Sequence, residues 1–366
     1  MTVTLAAAGF RTDLDALRRL RREHDASADR RSPAAVSEQL TLRHREVMLS
    51  GGRPDDLLSL GSALDHAARR FPSWPDLALL RAGVALAVHR ADRARAALDA
   101  VPGLAEQPPG RVLAADIAAF TGDYGAAREA YLQAAREDPL WDTTARLAAL
   151  ATATGRFDAA DSCYAEAEEE ITAKQMRAFA WVRVQRADLA RALGDLDHAG
   201  TWLADAERAY PGWWYVAAHR AALDLAAGRA ARAVEGYRRV LADVDRPEFV
   251  EALGTALART GDRVAAARCH AAARATYLSS ALRGEVHYLH HLAAHYADIA
   301  PDPAAAVLWA QRDACIRRSG PTLSLLGWCL YRAGRVEEAR AALAEALALG
   351  AGDPRLQERV RVIGTG

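Results

Sequence analysis

SLLGWCLYRAGRVEEARAALAEALALGAGDP, residues Ser324 to Pro354, holds two short amphipathic patterns around one glycine. Leu323, Leu326-Gly327 and Leu330 recur at steps of three and four, so they share one helical face. Gly334 interrupts the pattern, as a residue that reaches left-handed backbone does where a helix ends. Ala339, Leu343 and Ala346 then align on a second face, and Pro354 stops that helix. The same signature lies upstream at Gly122, Gly155, Gly194, Gly228 and Gly261, spaced 33, 39, 34 and 33 residues apart. Five residues after each comes an alanine: Ala127, Ala160, Ala199, Ala233 and Ala266. Four residues later comes a larger side chain: Tyr131, Tyr164, Leu203, Tyr237 and His270. The small residue lets two helix backbones approach where they cross, and the larger one packs into the next unit. Pro139 and Pro211 end second helices in the same way. The spacing predicts a repeated helix–turn–helix unit.

This order resembles the tetratricopeptide repeat, W-x2-L-G-x2-Y, then A-x3-F, then P, with Leu323 and Leu330 in the Trp and Tyr slots. The resemblance implies an all-α, right-handed α-solenoid of about eight helix–turn–helix repeats. Its first helices would line a concave face, and the chain would curl around a channel. The expected organisation is residues 1–34 as an N-terminal helix and linker, 35–353 as the solenoid, and 354–366 as a C-terminal capping helix and tail. Leu14, Leu17 and Leu20 stripe the first helix, a terminal cap or a docking arm, and DASADRRSPAA reads as the linker. A degenerate first repeat turns at Gly51-Gly52-Arg53-Pro54, and a second near Arg90-Ala91-Asp92. Two units exceed the usual length: the one between Gly155 and Gly194, and the one whose glycine-free turn falls at Ala300-Pro301-Asp302-Pro303.

Lys+Arg and Asp+Glu both number 47, so the chain has neither the basic stripe of a nucleic-acid binder nor a polybasic membrane surface. No apolar run reaches the roughly 20 residues of a membrane span, and no signal peptide is evident. Cys163, Cys269, Cys315 and Cys329 are scattered, which fits free thiols in a reducing cytoplasm. P-loop, GxGxxG and GxSxG motifs are absent, and strand-like stretches are nearly so, which excludes nucleotide folds. The expectation is a protein- or peptide-binding scaffold rather than an enzyme. It would have no catalytic residues or cofactor and no nucleic-acid partner, though its outer faces could drive self-association. The Ala- and Arg-rich usage hints at a GC-rich bacterial genome.

One segment stands out, GEVHYLHHLAAHYADIAPDP, residues 284–303. His287, His291 and His295 recur every four residues, His290 lies beside them, and Asp298 extends the line. By the resemblance, groove-facing residues lie about 13, 10, 6 and 3 positions before each turn. Counted from Pro301 these are Tyr288, His291, His295 and Asp298, or His287, His290, Ala294 and Ala297 if the register shifts by one. The same count gives Glu248 and Glu251 before Gly261, and Ser324, Trp328 and Tyr331 before Gly334. It gives Trp181 and Asp188 before Gly194, and Asp116 before Gly122. Three uses compete for the histidine helix 287–298. It could recognise an anionic or aromatic peptide, or merely pack against neighbouring repeats. It could also bind a divalent transition metal such as Zn through His287, His291, His295 and Glu251, which would make the chain a metal-binding protein or a metal-dependent enzyme. The aromatic cluster YPGWWYVAAHR reads as packing between units, and the Lys/Asn/Arg set of a carboxylate clamp is absent.

Overall fold

A computed structural model describes residues 9–27 and 32–364, and every regular element in it is helical. Residues 1–8, linker positions 28–31 and tail positions 365–366 lie outside the described residues. The N-terminal half runs α1 (Phe10–Ser27), α2 (Pro33–Leu49), α3 (Pro54–Arg70), α4 (Pro75–Ala87), α5 (Ala91–Asp99), α6 (Pro108–Thr121), α7 (Tyr124–Glu137), α8 (Trp141–Ala153) and α9 (Phe157–Glu170). It continues with α10 (Met176–Ala192), α11 (Leu196–Ala209), α12 (Trp214–Ala226), α13 (Ala230–Asp243), α14 (Pro247–Thr260) and α15 (Arg263–Leu282). The last elements are α16 (Leu289–Ala294), α17 (Pro303–Ile316), α18 (Gly320–Arg332), α19 (Val336–Ala348) and α20 (Pro354–Ile363). From α2 to α19 these make nine first-helix/second-helix pairs among the described residues, in keeping with about eight repeats, and both degenerate N-terminal units form complete pairs.

The signature residues do the work their positions predict. Gly122, Gly155, Gly194, Gly228, Gly261 and Gly334 all take positive φ, between 73° and 96°. Ala127, Ala160, Ala199 and Ala233 are completely buried at the helix crossings. Gly327, of the Leu-Gly pair, has no room for a side chain: a Cβ there would lie 2.8 Å from Leu343 Cδ2 and 3.1 Å from the Ala339 carbonyl oxygen. At the α4–α5 turn the glycine slot holds His89, with φ 64°. Arg90 N donates to Ala85 O there just as Arg335 N donates to Leu330 O after Gly334. Left-handed backbone costs a side-chain-bearing residue roughly 1–2 kcal/mol, so the fold holds His89 there against its local preference.

The lengthened unit shows where its extra residues go. Helix α15 runs 20 residues. Helix α16 passes into a π-helical turn, His295–Ile299, closed by Ala300 N donating to His295 O at 3.0 Å. Such a turn absorbs an added residue by widening the helix. Asp302 then caps α17 by accepting from Ala305 N at 3.0 Å.

The chain forms two compact units, each made from two separate segments. The first unites Met1–Leu80 with Glu168–Ala267, the second Arg81–Ala167 with Arg268–Gly366. In the first unit Phe10, Leu49, Leu203, Tyr210, Trp213, Trp214 and Val244 share one core, against which Leu14 and Leu17 pack. Phe10 N donates to Pro211 O at 3.1 Å, Tyr210 Oη to Asp13 Oδ2 at 2.8 Å, and Trp214 Nε1 to Leu49 O at 2.8 Å. Helix α1 is thus docked along its length rather than left as a free arm. Gly51, at φ 114°, lies so close to this junction that a Cβ would meet Val244 Cγ1 at 2.5 Å.

In the second unit Gly320 N donates to Tyr124 Oη at 2.8 Å, and Gly352 N to Ala153 O at 2.9 Å. The Phe120 ring takes His89 at 5.3 Å and the Arg317 guanidinium at 5.0 Å. Among the described residues, no helix is long and apolar enough to cross a membrane.

Candidate functional site

First helices of successive pairs lie side by side: α10, α12 and α14 in the first unit, α16, α18 and α20 in the second. In the second unit one candidate side chain comes from each of three neighbours: Asp298 from the π turn, Trp328 from α18 and Arg359 from α20. Trp328 Nε1 donates to Asp298 Oδ1 at 2.9 Å, which fixes the indole across two repeats. One turn on, Tyr331 stacks on Trp328 with centroids 5.7 Å apart and planes at 29°. The Arg332 and Arg359 guanidiniums each lie 5.9 Å from the same indole centroid. Arg359 Nη1 also donates to the buried Ser324 Oγ at 2.9 Å. Burial, together with the neighbouring Arg355 charge, brings the Arg359 pKa down to about 10. Asp298 and Arg332 are exposed, and Trp328 and Tyr331 are partly so. Counting back from Gly334 and Pro301 finds Trp328, Tyr331 and Asp298. Arg359 escapes that count because α20 reads as a cap, although it packs on α18 as a further first helix would.

The histidine segment departs from the expected single helix. His287 and Tyr288 lie in a turn before α16, which begins at Leu289. His287 is buried, its Nε2 3.2 Å from Ser280 Oγ and 4.0 Å from Glu285 Oε2. Tyr288, 5% exposed, packs on Tyr277 at 5.0 Å, and His295, only 1% exposed, faces His270 at 6.4 Å. His291 is half-buried and stacks on Tyr277 at 5.4 Å. These placements correct two expectations. Tyr288 and His295 support the surface from within rather than lining an open groove. Nor does the structure bring His287, His291, His295 and Glu251 together: among the described residues no three His, Cys, Asp or Glu side chains are arranged to hold an ion. A four-residue period brings histidines together only along a continuous helix, and here the helix starts after His287, while Glu251 belongs to the other unit.

Beneath this segment lies Asp313, 2% exposed. It accepts from Arg317 through both oxygens, at 3.2 and 3.3 Å, and lies 3.2 Å from His290 Nδ1. Burial pushes its carboxyl pKa up, but the bond to His290 and the Arg317 charge outweigh that and hold it below the usual range. His89 is close enough to feel Arg317, His287 and His291, and its own burial, the largest effect, lowers its pKa to about 3.

In the first unit, Trp181 is half-buried on α10. Asp188, one face along, lies 2.9 Å from His219 Nδ1 and accepts from Arg191 at 3.1 Å. Tyr215 meets His219 at 4.5 Å and accepts from Gln185 Nε2 at 2.9 Å. The repeat count applied to Gly228 would have found Tyr215, 13 positions before it. Glu248 pairs with Arg246 at 2.6 Å, and Glu251 is half-buried on α14. Asp116 is structural, accepting from Tyr131 Oη at 2.7 Å and from Arg146 Nε at 2.9 Å.

Comparison with known proteins agrees with this architecture. Residues 110–139, which hold most of α6 and all of α7, match the tetratricopeptide repeat family model. No curated protein sequence matches the chain. Among solved structures, the APC/C hetero-tetramer Cut9–Hcn1 aligns with a TM-score of 0.52 at 11% identity, over 94% of this chain and 59% of that one. The present chain therefore spans less than two thirds of that relative's length. The human IFIT1 dimer with m7Gppp-AAAA aligns with a TM-score of 0.51 at 14% identity, over 95% of this chain and 97% of that one. Identities this low speak to fold alone. In fold, the chain is an α-solenoid of the tetratricopeptide-repeat type, with a repeat that the family's own model matches at residues 110–139.

Proposed function

We propose that the chain is a protein-interaction scaffold that takes an extended peptide or protein segment along the first-helix face of its second unit. Asp298, Trp328 and Tyr331 are the main contacts and His291 lies beside them. Trp181, Asp188, Glu248 and Glu251 offer a second contact stretch on the first unit. One observation carries this reading: a partly exposed indole, oriented by the hydrogen bond it donates to Asp298 of the preceding repeat and stacked on a second aromatic ring. Rigid aromatic anchors of this kind dominate binding energy at interfaces. The fold supports the reading generally, since Cut9–Hcn1 is a protein assembly. The IFIT1 structure is a dimer with m7Gppp-AAAA, but a net charge of zero argues against phosphate-backbone binding here.

The test is a peptide-display selection on the whole chain. Enriched peptides should bind at least about tenfold more weakly to Trp328→Ala, with an unchanged circular-dichroism melt. A selection that yields no binders, or only binders indifferent to Trp328→Ala, would sink the proposal.

A further inference from the structure

The chemistry around Trp328 says more than that something binds there. Arg332 and Arg359 both reach its ring, and among the described residues neither has a carboxylate within ion-pair distance. Many of this protein's guanidiniums sit in ion pairs, so two uncommitted ones beside one partly exposed indole form a local surplus of positive charge. Arg355 adds a third positive charge close enough to act on Arg359. The opposing carboxylates that reach Arg359 are Asp298 and Asp353. Both keep their charge, Asp298 while accepting from the Trp328 indole and Asp353 while accepting through Oδ1 from the backbone amides of Arg355 and Leu356, so they offset two of the three positive charges and leave a surplus of one. Arg359 is held by Ser324 through one nitrogen, which orients the planar group without neutralising it. Burying a cation without a counter-ion is unfavourable, and an anion arriving from outside reverses that penalty.

We propose that Trp328, Tyr331, Arg332 and Arg359 form a recognition site for an acidic peptide segment. A partner carboxylate seats on the two guanidiniums, and a neighbouring planar side chain lies on the Trp328–Tyr331 stack. This rests on the scaffold reading and adds the chemical class of the partner. A peptide is favoured over nucleic acid because the surplus is confined to one spot. A phosphate backbone needs a continuous basic track, and the overall charge balance offers none. The partly buried setting of Arg359 also suits a single charge-assisted contact, whose worth grows as water is excluded.

Fluorescence polarisation tests this with three probes. One is a short fluorescein-labelled peptide of glutamates around a central tyrosine, the second its lysine-for-glutamate counterpart, and the third a short oligoadenylate RNA. The acidic peptide should bind, more weakly as salt rises, and the lysine peptide should not. Arg332→Glu changes an exposed residue and so leaves the fold intact. It should weaken acidic-peptide binding at least about tenfold, as should Trp328→Ala. Arg359→Gln should do the same in protein whose circular dichroism matches the parent. Equal binding of the lysine peptide, or affinity unmoved by Arg332→Glu, would overturn the proposal. So would RNA that binds more tightly than the acidic peptide and depends on the same arginines. Display binders that depend on Trp328 but carry no acidic residues would overturn this inference alone and leave the scaffold reading standing.

Discussion

Replacing Asp313 with Asn keeps the shape of the side chain and removes one charge. The parent carboxylate is almost wholly buried and holds both Arg317 and His290. The Arg317 side chain is itself only 14% exposed, so Asp313→Asn leaves a guanidinium largely out of water without its counter-ion. Breaking a buried pair from one side costs about 3–5 kcal/mol. Arg317 keeps its contact with the Phe120 ring at 5.0 Å, which places the expected loss near the lower end, about 3 kcal/mol. The control is Glu338→Gln, which breaks the exposed Arg335–Glu338 pair and should cost no more than about 1 kcal/mol. Urea unfolding followed by circular dichroism gives the two differences. Hydrogen exchange should show the Asp313→Asn loss in the amides of α17 and α18. If Asp313→Asn costs as little as Glu338→Gln, the Asp313 network is not what fastens this part of the second unit. A cycle with Arg317→Met isolates the pair, and a coupling below about 0.5 kcal/mol would refute the reasoning outright.

Three further outcomes are expected. His89 titrates near 6.5 when unfolded and near 3 when folded, so the unfolded chain binds more protons between those values and stability falls as pH drops through that window. Between pH 7 and pH 5 the loss should be on the order of 1–2 kcal/mol, it should shrink in His89→Gln, and denaturant midpoints at the two pH values measure it. Gly51→Ala meets both a left-handed φ and Val244, and should cost about 2–4 kcal/mol; a melting temperature equal to the parent's would contradict the α2–α13 junction described above. Exposed Cys315 should react with a thiol reagent in the native protein, while Cys329, buried and with its pKa pushed up to about 12, should react only on unfolding; mass spectrometry of labelled peptides distinguishes them.

Much of this was legible in the residues because the repeat is a local device. Turn glycines and crossing alanines act on neighbours in sequence, so their spacing reports them directly. The same ruler reached Asp298, Trp328 and Tyr331. It also held an unread signal at His89, where Ala94 and Leu98 follow at the offsets that mark every turn glycine. Other features left no local trace. The docking of α1 and α2 onto α11–α13 joins residues 165 to 232 positions apart, which no periodicity encodes. The histidines misled because a period of four implies one face only while the helix continues, and the chain instead turns at His287–Tyr288 and widens into a π turn at His295.

The interleaved make-up of the two units carries a consequence for synthesis. A ribosome adds about 5–20 residues per second, so the 165 positions between Leu49 and Trp214 take roughly 10–30 s to appear. Through that interval Leu49 and Phe10 have emerged without the aromatic residues that bury them. Solenoid repeats ordinarily settle against the unit just made. Here the first segment must wait, and the second unit's opening segment is made while it waits. The first unit closes only as its second segment emerges, and Arg81–Ala167 finds its complement only once Arg268–Gly366 is being made. Birth order and assembly order therefore differ, and the nascent chain spends that time with apolar surface on offer to whatever stands near the exit tunnel.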